Sequence, residues 1–76
     1  MFNELDTVVL ADNMPEAGLE RGDIGAIVHV YTSAAAYEVE FVTGKGETIA
    51  LLTLAAEKLR PMREREILHA RTLLPA

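Results

Sequence analysis

The stretch AYEVEFVTGKGETIALLTL at residues 36–54 constrains the fold more than any other part of the chain. Tyr37, Val39 and Phe41 alternate with Glu38 and Glu40, the period of two that belongs to a strand with one face buried and one in water. Gly44 and Gly46 offer the positive-φ freedom that a short connection between antiparallel strands requires. Apolar residues resume at Ile49, so the segment reads as a hairpin and the protein as mainly β.

The flanking segments extend that reading. Residues 7–11, TVVLA, are a β-branched run that predicts a first strand. Residues 12–23, DNMPEAGLERGD, form a long turn-rich loop in which Pro15 disfavours helical geometry at Met14 and Leu19 is the apolar side chain placed to anchor the loop. A second strand is predicted at 24–31, IGAIVHVY, where the mixed pattern signals a bulge near 25–28 or burial on both faces. The third strand falls at 36–42 and the fourth at 47–54. The fourth is apolar on both faces, with Ile49, Leu51, Leu52 and Leu54, which suits a closed barrel whose outer wall is partly covered. Residues 55–62, AAEKLRPM, predict a turn of 3₁₀ helix and a brief last strand at 59–62, where Pro61 demands an edge position. Over 63–74, REREILHARTLL, spacings of three, four and seven among the apolar residues predict a C-terminal helix ended by Pro75. The expected architecture is a small five-stranded SH3-like barrel over residues 1–62 with a C-terminal α-helix in an extension over 63–76.

The run from Thr7 to Pro61, with VVLADNMPEAGLERGDIGAIVHVY, AYEVEFV, GETIALLTL and EKLRP, resembles a family of small bacterial proteins classed only as a domain of unknown function. The resemblance spans 55 of the 76 residues, and AYEVEF with TIALLTL are its specific pieces. It implies an SH3-like fold and no established activity, catalytic residue or cofactor. The piece GDIGAIV is also similar, more weakly, to the glycine-bearing strand starts of KOW modules and of the barrel in nitrile hydratase β subunits. The tail beyond Met62 lies outside the family pattern.

Size and charge limit what such a fold can do. A chain of 76 residues is one domain that hides only about 60% of its unfolded surface, so a deep catalytic cleft is not expected. Cys is absent, which removes disulfides and thiolate metal sites. The start MFNELD lacks the apolar run of a secretory signal, and no stretch reaches the roughly 20 apolar residues of a membrane span, so a cytoplasmic location is expected. Residues 1–56 carry a net charge of −7 and residues 57–76 a net of +2. Over a screening distance of ~8 Å the acidic body repels phosphates, so nucleic acid is disfavoured and only Arg60, Arg63, Arg65 and Arg71 could contact it. That basic tail defines the rival reading, a KOW-like nucleic-acid or ribosome-associated barrel.

Candidate chemistry is thin. His29 and His69 lie 40 residues apart without a ligand spacing and read as strand and helix surface residues. Ser33, the only serine, has no paired base, and Gly22 and Gly25 lack the G-K-[ST] of a phosphate loop. Tyr31 and Tyr37 belong to core or rim. No metal, cofactor or catalytic residue is expected. Glu38, Glu40 and Glu47 are the residues expected to bind a basic protein partner, because an acidic face steers such a partner. Ile67, Leu68, Leu73 and Leu74 are the expected oligomer interface, because a lone helix of about 12 residues is marginal in water and needs a surface, its own barrel or a second copy giving a homodimer. The expectation is a non-enzymatic protein-interaction module, the accessory or antitoxin-like partner of a protein encoded by a neighbouring gene.

Overall fold

Five extended segments share one core, to which residues 36–42 give the alternating Tyr37, Val39 and Phe41. The computed structural model describes residues 2–32 and 35–73. Its strands are β1 (Thr7–Leu10), β2 (Ile24–Val30), β3 (Ala36–Val42), β4 (Thr48–Ala55) and β5 (Leu59–Pro61). They form one antiparallel sheet in the order β4-β3-β2-β1-β5. Register aligns the inward residues: Tyr37 lies opposite Val30 and Leu54, Val39 opposite Ile27 and Leu52, and Phe41 opposite Ala50. Val8, Leu10, Leu19 and Leu59 close over this row and complete the core. Leu19 is 2% exposed, so the long loop is anchored as its sequence predicts. Met14 is non-helical, and a single 3₁₀ turn follows at Pro15–Ala17 before Gly18 reverses the chain with φ of 72°.

Two bulges aim side chains off the regular pattern. The pairing of β2 with β3 slips between Ile27 and His29, leaving Val28 as the extra residue. The pairing of β3 with β4 slips where Val42 faces Thr48 and Phe41 faces Ala50, which leaves Ile49 as the extra residue. An extra residue bends its strand and redirects its own side chain. Ile49 is thereby turned toward the loop end of the sheet.

Three expectations are corrected. The sheet does not close into a barrel: β4 and β5 are its two edges, and no ladder joins them among the described residues. β5 has only three residues and ends in Pro61, which lacks an N–H, so its pairing is used up on β1. No helix forms over residues 63–73, which hold a turn at 64–65 and no regular element after it. Fixed polar contacts, given below, outweigh a helix whose nucleation is costly at this length. In the connection between β3 and β4, Gly46 alone takes a positive φ, of 88°, and Gly44 does not.

Candidate functional site

Asp23 ends the long loop and is held at its backbone, donating its N–H to the Glu20 carbonyl at 3.0 Å and accepting the Leu10 N–H at 2.8 Å. Its carboxylate accepts the Glu20 N–H at 2.8 Å, which ties the loop to its own end. The residue is only 8% exposed. A shielded carboxylate needs cationic or hydrogen-bonding partners, and here they come from the tail. Arg71 forks onto it, Nε donating to Oδ1 at 2.8 Å and an Nη donating to Oδ2 at 2.6 Å. The same Nη donates to the Gly18 carbonyl at 3.0 Å, and Glu20 lies 3.7 Å from the other Nη. His69 Nε2 stands 3.1 Å from Asp23 Oδ1. His69 and Arg71 reach Asp23, and Ala70 and Leu73 border the space beside it. Leu73 lines a groove of about 530 Å³ with Leu19, Ile24, Phe41 and the bulged Ile49. The tail is a strap seated across the loop end of its own sheet.

A second clamp turns the tail toward that groove. Arg60 on β5 donates two hydrogen bonds to the Glu66 carboxylate, at 2.9 and 2.8 Å. Glu66 also accepts the Arg63 N–H at 2.7 Å, and its own N–H bonds the Arg63 carbonyl at 3.1 Å, closing a turn. The Arg60 hydrogen bonds, joined by the Arg63 amide, hold the Glu66 carboxyl down at about 2. At Asp23, burial pushes the carboxyl up. Hydrogen bonds from Arg71 and the Glu20 amide, the Arg71 charge and His69 more than offset this, so it too lies below its ordinary value.

Both carboxyls are thus lowered in the folded state. A lowered carboxyl contributes stability above its unfolded value and loses it as pH falls through its folded value. The strap should therefore detach on acidification, the Glu66 clamp loosening between about 4.5 and about 2. In a pH series of amide spectra, resonances of 63–73 should move before those of β1 to β4. Simultaneous loss of both sets would refute separate release.

The residues expected to bind a partner lie elsewhere. Glu38 and Glu40 stand on the outer face of β3, opposite Thr53 and Leu51 of β4. Glu38 accepts the Thr53 hydroxyl at 2.6 Å and the Tyr31 hydroxyl at 3.1 Å, and Glu40 accepts the Thr48 hydroxyl. Glu47 is exposed at the end of the hairpin connection, its N–H bonded to Thr43 Oγ1 at 3.2 Å. The first two share a face, and the third caps the loop beside them. Among the described residues no group of three or more His, Cys, Asp and Glu is placed to hold a metal.

The residues expected at an oligomer interface do not share a helix face, because no helix forms over residues 63–73. Ile67 and Leu68 are 93% and 70% exposed, Leu73 lines the groove, and Leu74 lies outside the described residues. His29 is an exposed strand residue, as expected, edge-on to Tyr31 at 4.8 Å. His69 is not a helix surface residue but a neighbour of Asp23. Sequence reading missed the Asp23 clasp because Asp23 and Arg71 are 48 positions apart. The one usable signal was the opposite charge of Arg71 in the tail and Asp23 in the loop, which does not by itself pair them.

Fold and site together define a small antiparallel β module whose acidic loop grips an arginine of its C-terminal tail. The family model for a domain of unknown function, DUF4926, matches residues 4–61, and the chain belongs to that family. No curated protein and no solved structure matches it. Asp23 and the body side of the groove fall within the matched region, whereas the strap lies beyond it. No helix among the described residues is long and apolar enough to cross a membrane.

Proposed function

We propose that the chain is a non-enzymatic protein-interaction module, an accessory partner that receives a basic polypeptide on its acidic body. The observation that carries this reading is the clasp itself: a shielded carboxylate, backed by the loop backbone, closes on an arginine of the tail. The order of parts supports an SH3-like ancestry for the sheet, with a long loop, a central hairpin, a 3₁₀ turn at Ala56–Lys58 and a last strand returning to β1. A cytoplasmic setting and an antitoxin-like pairing with the product of a neighbouring gene belong to the same proposal. The nucleic-acid reading has less support, because Arg60 and Arg71 are engaged by carboxylates and leave Arg63 and Arg65 for phosphate.

Affinity capture from source-cell extract tests the module. A basic protein should be retained, released by raised salt, and retained less by Glu38→Gln/Glu40→Gln/Glu47→Gln, since exposed charges act mainly through screened steering. Retention of RNA alone, or of no basic protein, would defeat the proposal.

A further inference from the structure

The strap shows what its groove can recognise. Seen from the body, the bound segment contributes one arginine to Asp23 and the Gly18 carbonyl, and, two residues later, one aliphatic side chain to a groove lined by Leu19 and Ile49. A guanidinium fork matches a carboxylate in two parallel hydrogen bonds, which fixes both the residue and the direction of approach. The body holds these groups through contacts of its own. The Asp23 carboxylate is fixed by the Glu20 amide, the loop by buried Leu19, and Ile49 by the β4 bulge. The contacts just named need no residue between positions 62 and 68. Within that span Ile67 and Leu68 are exposed, so the tether contributes little to the recognition.

From these contacts we infer that the groove between the long loop and the β3–β4 hairpin is a docking site for a segment of a partner protein, bearing arginine with a large aliphatic residue two positions on. The strap is its intramolecular competitor. This rests on the interaction-module reading and adds the place and the ligand class. Charge supports the occupant: the region that forms the groove belongs to a body of net charge −7, and residues 57–76, which present Arg71 to it, carry a net charge of +2. The Arg60–Glu66 turn aims the strap back at its own sheet, so the competitor acts at the high effective concentration of a short tether. Apparent affinity for a partner then falls by the fraction of molecules with the groove open.

The test uses the full chain and a fluorescent peptide of residues 66–73, EILHARTL. If the strap is seated in about nine molecules of ten, Arg71→Ala binds this peptide roughly 10-fold more tightly than the parent. Leu73→Ser, which loosens the apolar end without touching Asp23, should also gain affinity. A peptide carrying Arg71→Ala should not bind either variant, and Asp23→Asn/Arg71→Ala should lose the gain. Equal binding by the parent and both strap variants would overturn the inference while leaving the extract capture to decide the wider reading. A parent chain whose mass doubles with concentration and returns to monomer in Arg71→Ala would also overturn it, because the occupant would then be the strap of a second copy.

Discussion

Phe41→Ala should remove most of the stability of the fold. Phe41 is 2% exposed near the C-terminal end of β3, and its ring is both core filler and part of the groove wall. Truncating a buried phenylalanine costs about 3–5 kcal/mol, lost transfer free energy plus the cavity left behind. A domain of this size sits near the lower end of the usual ~5–15 kcal/mol, so most of its stability is removed by one substitution. Circular dichroism with urea titration checks this. A midpoint close to that of the parent would mean that the β3 side chains do not form the core described.

Gly25→Val tests the same packing from the other side. A Cβ at Gly25 would lie 2.7 Å from Val39 Cγ1, 2.9 Å from Phe41 Cε1 and 3.0 Å from the Glu40 carbonyl oxygen. The first two neighbours are themselves buried and the third is sheet backbone, so none can yield cheaply. Overpacking of this kind costs about 1–3 kcal/mol and sometimes more, and valine adds two methyl groups beyond the Cβ. Combining Gly25→Ala with Val39→Ala should restore part of the loss, because the two sites share one volume. Strictly additive losses in urea titration would contradict the contact.

The parts of the fold that could be read from sequence are those whose cause is local. The alternation of Tyr37, Val39 and Phe41 with two glutamates specified β3 and its buried face, and its strand ends agree with the structure. Pro15 and Leu19 located the loop turn and its anchor, and Pro61 correctly marked an edge strand. The failures have non-local causes. Closure of the sheet depends on whether its two edge strands meet, and β5 is too short to serve both sides. The tail failed because its apolar spacing is not what places it. Ile67, Ala70 and Leu74 suggested a helix, while His69 and Arg71 make the contacts that are used. Only the position of Asp23, set by folding of a distant loop, decides between them. Glu38 and Glu40 were rightly placed on an outward face, yet their hydroxyl partners Thr53, Tyr31 and Thr48 emerge only from strand register.

The most direct measurement is a methyl nuclear Overhauser spectrum of the full chain, recorded at two concentrations. A strap seated on its own sheet gives cross-peaks between the methyl groups of Leu73 and Ile49, which line one groove, and their relative intensity survives dilution. Random-coil shifts across 63–73 without those cross-peaks would contradict the seated strap and the recognition read from it.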